Sequence, residues 1–433
     1  MPKYFPIGLS IAIFLIFGFT LVTNTLNIPT FDDFDTTVGF IKRIFFDDYT
    51  AKGKLELLFG RHNEHRIIFS RIVAAGYFSI FHRLDFSYLI LFQNLLLVCF
   101  FGLMLAIMKQ NKLLYAENVL FASVFLFSLG FWHVTYFYWG GIQHYTVFFF
   151  CFLSLFLLNK SHNIKSLNFF LAILTVMIAV FSFGNGFLGI LLGAFILFVQ
   201  KKWPLLLIWS LIGAVLLWIT FFVGPQVVGE RQVAYDIKLI FGLLFTFLGS
   251  FVFINPETFQ AFNTNVCTAL GVVVMLTWIW LFFKGYARKN PLLYCLLSMP
   301  ILTGMLISLS RFESGSGGGL APRYMFFTAT IPVVLVLILL DLKILRLRGL
   351  RVLALAGVLL WGMVFINNWK ALQDMNRDLA ARVLSWQTNP DTRLIPHHHE
   401  VKAYSEMMRW AVDQKVVILP DFKGYKPLAP GQK

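Results

Sequence analysis

The sequence predicts an all-α protein: a polytopic transmembrane helical bundle of about eleven spans, with a long external first loop and a small external C-terminal region. Three observations predict it. Of 433 residues, 58% are hydrophobic and only 13% charged, a balance foreign to soluble domains of this length. The apolar residues gather in stretches of roughly 16 to 22, enough for a helix to cross a bilayer core. The turns rich in Lys and Arg fall on one side of those stretches in strict alternation, as the positive-inside rule expects.

The first span, residues 5–24, follows a single Lys3 and has no small-residue cleavage site of a removable signal peptide, so it reads as retained. Further spans are expected at 86–108, 117–137, 144–159, 167–183, 186–200, 203–223, 266–283, 291–309, 323–340 and 350–367. The turns KQNK, NKSHNIKS, QKKW, KGYARKN and DLKILRLRGLR are then cytoplasmic, and with Lys3 they face only Glu117 and Asp341 as acids on that side. The formal charge of +15 is therefore a topology signal, and nucleic acid is excluded as a partner. The stretch 238–254 breaks the alternation and is expected to be a re-entrant or interfacial helix on the external face. Cys99, Cys151, Cys267 and Cys295 sit within apolar runs without CxxC spacing, so they read as small buried hydrophobes. Neither an internal repeat nor an inverted pair of broken helices is visible.

Two external regions follow. The first loop, residues 25–85, carries the amphipathic stretch IIFSRIVAAGYFSIFH, expected along the membrane surface. The division expected is 1–367 for the transmembrane domain and 368–433 for the appendage. The tail has helical patterning in WKALQDMNRDLAARVLSW and VKAYSEMMRWAV, and a strand-like VVIL before Pro420.

Chemistry-bearing residues cluster at the external ends. FDDFD places Asp32, Asp33 and Asp35 just after the first span. Crowded carboxylates raise a pKa or share a cation, and either suits a general base; the competing reading is a helix cap in a solvated loop. Arg61, His62, Asn63, Glu64, His65 and Arg66, with Arg71 beyond, are dense in groups that bind phosphate or sugar hydroxyls; the alternative is the polar start of a helix. HVTYFYWGGIQHY supplies His133, Trp139, Gln143 and His144, aromatic faces beside amide and imidazole that suit a pyranose or an interfacial belt. Asn185 lies between glycines in SFGNGF, which also reads as a tight helical hairpin. In RFESGSGGGLAPRY, Gly315, Gly317, Gly318 and Gly319 free the backbone between Arg311 and Arg323, with Tyr324 following, which suits a clamp on a lipid-linked phosphate or a loop whose arginines snorkel to headgroups. The spacing is that of neither a P-loop nor a dinucleotide fingerprint, so no nucleotide cofactor is expected; a divalent cation at the acidic cluster stays open. Three consecutive histidines, His397 to His399, cannot easily converge on one metal ion.

An acidic pair just after the first span, a long external first loop, about eleven spans and an external C-terminal region together resemble the GT-C superfamily of membrane glycosyltransferases, and the HNEHRI and APRY stretches are similar to those of bacterial members. The resemblance implies an inverting enzyme of the bacterial inner membrane, its active face periplasmic. Its partners would be a polyprenyl phosphate sugar donor, a cell-envelope glycan or glycolipid acceptor, and the surrounding membrane lipids. It implies Asp33 or its neighbour Asp32 as base and Arg323, with Arg311, at the donor phosphate. Nucleotide sugars are cytoplasmic, and a lipid-borne sugar resolves that mismatch with an external site. The rival expectations are a transporter or flippase of lipid-linked glycans, which would need polar groups at mid-membrane depth, and a polysaccharide polymerase acting on similar substrates.

Overall fold

The computed structural model describes residues 4–63, 65–223, 234–254, 260–395 and 401–427. Its helices, in chain order, are α1 (Phe5–Asn24), α2 (Ala51–Phe59), α3 (Ile68–Phe81), α4 (Phe86–Gln110), α5 (Ala116–Leu126), α6 (Tyr138–Lys160), α7 (Leu167–Val180) and α8 (Leu188–Val199). After them come α9 (Trp203–Phe222), α10 (Ile237–Gly249), α11 (Gln260–Phe283), α12 (Pro291–Arg311), α13 (Met325–Asp341), α14 (Leu347–Thr388) and α15 (Val401–Asp413). One two-stranded hairpin, β1 (Arg61–His62) and β2 (His65–Arg66), interrupts the first loop. The protein is thus an all-α bundle, as its apolar periodicity requires.

Eight helical segments among the described residues are long and apolar enough to cross a bilayer. The expected spans 167–183, 186–200 and 323–340 coincide with shorter apolar helices, as does the irregular stretch 238–254. α10 packs along α11 at backbone contact: a Cβ on Gly249 would meet the Cys267 carbonyl oxygen at 1.9 Å, and one on Gly271 the Phe245 carbonyl oxygen at 1.8 Å. Only glycine lets two helices approach this closely.

The turns expected to be cytoplasmic collect at one end of the bundle. Both acids assigned to that side are paired there. Arg351 Nε donates to Glu117 Oε1 at 2.7 Å, and Asp341 accepts from Tyr286 at 2.9 Å and faces Lys289 Nζ at 3.2 Å.

At the opposite end, the first loop and the C-terminal region form one body around a second hydrophobic cluster that includes Phe34, Phe40, Leu84, Trp386, Tyr404 and Val417. α14 runs for 42 residues without a break. The expected boundary at 367/368 therefore falls inside a continuous helix. Its buried Val364, Asn368, Leu372, Asn376, Leu379 and Val383 keep a helical spacing across that point, so one stripe serves both membrane and appendage. Asn376 donates to the Asn24 carbonyl at 2.8 Å and Gln373 to the Asn24 side chain at 2.7 Å, fixing α14 to the end of α1. The strand-like VVIL forms a single parallel bridge, Leu84 with Val417, and Asn27 donates to the Ile418 carbonyl at 2.7 Å. α3 buries Arg71, Ala74 and Phe78 and exposes Ile72, Ile80 and Phe81, the two faces expected of an amphipathic helix.

Candidate functional site

The acidic cluster opens a π-helical turn, Phe34–Val38, with Asp33 at its N-cap; a second, Lys42–Phe46, follows after one short helical stretch. Wide turns of this kind are rare and are frequent at functional sites. The three carboxyls diverge. Asp33 is fully buried; its Oδ2 accepts from the amide and the hydroxyl of Thr30, each at 3.1 Å, while Oδ1 is buried without a hydrogen-bond partner. Burial pushes the Asp33 carboxyl up to about 8, the neighbouring charge of Asp32 adds to the rise, and the Thr30 donors and the Trp139 amide act against it. Asp32 Oδ2 lies 3.7 Å from His62 Nε2. Asp35 accepts at 2.7 Å from the Tyr404 hydroxyl. Among the described residues no three His, Cys, Asp or Glu side chains converge as a metal site would need.

The hairpin β1–β2 stands between two cavities. His62 lines the larger, of about 730 Å³, together with Asp35, Arg43, Glu56, Arg61 and Arg71. His65 lines the smaller, of about 310 Å³, with Asn185, Thr303, Arg311, Tyr324 and apolar side chains such as Phe187 and Leu306. Four of the expected binding residues, His65, Asn185, Arg311 and Tyr324, are therefore brought together although they come from three separate stretches of the chain. Asn185 Nδ2 donates to Thr303 Oγ1 at 2.9 Å, which fixes the amide in the wall. The exposed Arg323 holds its guanidinium 4.9 Å from the Tyr324 ring centroid and has no ion pair among the described residues. His144 lies within the aromatic layer, 4.9 Å from the Phe183 ring and 4.6 Å from Phe327; His65 meets the same Phe183 at 4.5 Å with its ring tilted by 50°. Trp139 stands against Phe31 beside the acidic turn, its indole Nε1 buried without a partner. Gln143 is buried one turn further along α6 and lines neither cavity.

Two expectations need revision. Arg66 is 4% exposed and donates to the carbonyls of Phe59, Ile219 and Val223, the last turns of α2 and α9. Helix C-termini leave carbonyls unpaired and favour cations, so Arg66 is a clamp between two helix ends and is not directed at either cavity. The glycine stretch is not an open anion cradle either. Gly315–Gly319 forms a helical turn pressed on α10, where a Cβ on Gly319 would meet the Leu243 carbonyl oxygen at 2.6 Å, and Thr246 donates to the Ser316 carbonyl at 2.9 Å. Gly318 and Gly319 serve close packing and Gly315 takes a left-handed φ of 52°, whereas a Cβ on Gly317 would meet nothing. Glu64 and the His397–Glu400 run lie outside the described residues.

Sequence reasoning passed over Thr30, Arg43 and Tyr404. The Thr-x-x-Asp spacing from Thr30 to Asp33 is a local capping signal that was readable. Tyr404 is 369 positions from Asp35 and has no local signal. No protein-family model, curated protein or solved structure matches the chain.

Proposed function

We propose that this chain is an inverting glycosyltransferase that moves a sugar from a polyprenyl phosphate to a cell-envelope glycan, working at the external face of a bacterial inner membrane. The observation that carries the reading is Asp33, a wholly buried carboxyl with one unpartnered oxygen, seated just past the first long apolar helix. Burial raises the Asp33 carboxyl to about 8, so its ionised form, which gains population as pH approaches 8, is a stronger base towards an acceptor hydroxyl than an ordinary carboxylate. In the step proposed, the hydroxyl proton passes to Asp33 and its oxygen forms a bond to the anomeric carbon. The carbon–oxygen bond to the lipid phosphate breaks on the opposite side, and the phosphate leaves with the electron pair. Arg311, in the wall of the smaller cavity, and Arg323, beside it, supply the cations that stabilise that charge. Apolar side chains dominate the rest of this cavity, which suits a lipid-borne substrate.

The test is transfer by the purified chain in lipid nanodiscs, supplied separately with a polyprenyl phosphate sugar and with a nucleotide sugar. Activity from the lipid donor alone, falling on the order of a hundredfold in Asp33→Asn, is expected. Transfer from the nucleotide sugar alone, or unchanged turnover in Asp33→Asn, rejects the reading.

A further inference from the structure

The larger cavity has a chemistry that the proposed reaction does not use. Arg43, Arg61 and Arg71 all line it. Their hydrogen bonds go to backbone carbonyls. Arg43 donates to Gly39 at 3.1 Å and Asp35 at 3.4 Å, Arg61 to Thr220 at 3.0 Å, and Arg71 to Leu57, Leu58 and Gly60 at 2.8, 3.1 and 2.5 Å. Among the described residues none of the three is within ion-pair distance of a carboxylate. Carbonyls orient a guanidinium but leave its unit charge uncompensated.

Arg71 is only 6% exposed, and its Nε is buried without a partner, as is Arg61 Nε. Burial and the like charge of Arg43 depress the Arg71 guanidinium to about 10, which records how poorly its charge is met. Asp35 and Glu56 also line the cavity, but two carboxylates against three guanidiniums leave it net positive, and among the described residues neither lies within ion-pair distance of an arginine; Glu56 is 3.9 Å from Lys52.

We propose that this cavity binds an oxyanion borne by a sugar, a uronate carboxylate or a sugar phosphate, through Arg43, Arg61 and Arg71. The anionic sugar belongs to the acceptor; that role rests on the transferase reading, whereas the charge of the ligand rests on the arginines alone. About 730 Å³ holds a saccharide of one to three rings, and the planar forks of arginine match both anions. His62 lines the same cavity and approaches Asp32, next to the buried Asp33, so a ligand held here has its ring beside the acidic turn. The acceptor would enter on one side of the hairpin and the lipid donor on the other.

The experiment titrates the full chain, in nanodiscs of zwitterionic lipid, with a hexose 6-phosphate, a hexuronate and the parent neutral hexose. Binding is read by calorimetry, without any donor present. At least one anionic sugar should bind tenfold or more tightly than the neutral one, with affinity falling as salt rises. The tighter of the two names the anion. Arg43→Gln should weaken the anionic sugar roughly 10- to 100-fold and leave the neutral one unchanged, with Arg43→Lys between. Arg43 is chosen because, among the described residues, its hydrogen-bond partners are two carbonyls of its own helical segment, and Arg61→Gln serves as the second variant. Equal affinity for charged and neutral sugars, or full retention of anion binding in both Gln variants, overturns the proposal. Failure of transfer from the lipid donor with anion binding intact would remove the transferase and keep the site. Transfer at wild-type rate by Arg43→Gln and Arg61→Gln, without anion preference, would do the reverse.

Discussion

The Tyr404 hydroxyl donates a 2.7 Å hydrogen bond to the Asp35 carboxylate, joining α15 to the π-helical turn that follows the first long apolar helix. The same helix packs the Tyr404 ring against Phe34 at 5.0 Å and sets Trp410 against Phe46 at 5.1 Å. The C-terminal region therefore holds the turn whose N-cap is Asp33.

Removing that hydroxyl tests the bracing. Tyr404→Phe keeps the ring contact and loses one hydrogen bond to a charged group, a cost of about 1–2 kcal/mol. Amide hydrogen exchange across Phe34–Val38 should quicken several-fold with little change at α4 or α6. Unaltered exchange in the π-turn would show that Tyr404 does not restrain it.

Asp33 makes stability depend on pH. Its carboxyl lies near 8 in the folded protein, above the ordinary value of 3.8. Between those values the folded state holds a proton that the unfolded state has released. Stability is then fully present below about 4 and falls as pH rises towards 8, by on the order of a few kcal/mol for a shift of this size. If Asp33 is the base, turnover rises over the upper part of the same range. Thermal unfolding from pH 5 to 9 should show the falling arm in the wild type, and Asp33→Asn should flatten it. A slope that persists in Asp33→Asn assigns the effect to another group.

Arg66 is expected to matter for stability more than for ligand binding. Arg66→Lys retains charge but cannot reach the carbonyls of both α2 and α9, and should lower stability by on the order of 2–4 kcal/mol. The measurement is unfolding in detergent, paired with the sugar titrations. Unchanged stability, or a selective loss of sugar affinity, would place Arg66 at a ligand instead.

Contact between Leu84 and Val417 puts the first loop and the tail at one end of the bundle. Single cysteines introduced at the exposed Lys52 and Lys426 should both react with an impermeant maleimide in intact cells. Reaction of only one would break the shared-side arrangement, and protection of both would turn the site towards the cytoplasm.

Apolar run length made the bundle legible, because a bilayer core demands continuous apolar surface over a fixed distance. It also marked 367 as an end. Hydropathy reports where lipid stops, whereas α14 continues on a buried stripe that Asn368 and Leu372 share with Val364. His65, Asn185, Arg311 and Tyr324 were legible as polar residues in outer turns, but their common cavity arises from contacts between distant segments. Arg66 was misread because a guanidinium serves a phosphate and a helix end through the same donors. In the 315–319 stretch a missing Cβ gives both conformational freedom, used at Gly315, and room for a neighbouring backbone, used at Gly319, and the sequence does not say which position uses which.

A straight helix of 42 residues measures about 63 Å, roughly twice the hydrocarbon thickness of a bilayer. α14 is therefore a lever. Its lower end is pinned where Arg351 meets Glu117, and its far end, at Trp386, is bonded through Ser405 to the helix that braces the acidic turn. A tilt of about 5° at that pivot would carry Thr388 some 5 Å sideways, by the same helix length. One continuous helix thus links the Arg351–Glu117 pair, through its bonds to Asn24, to the helix that braces the acidic turn.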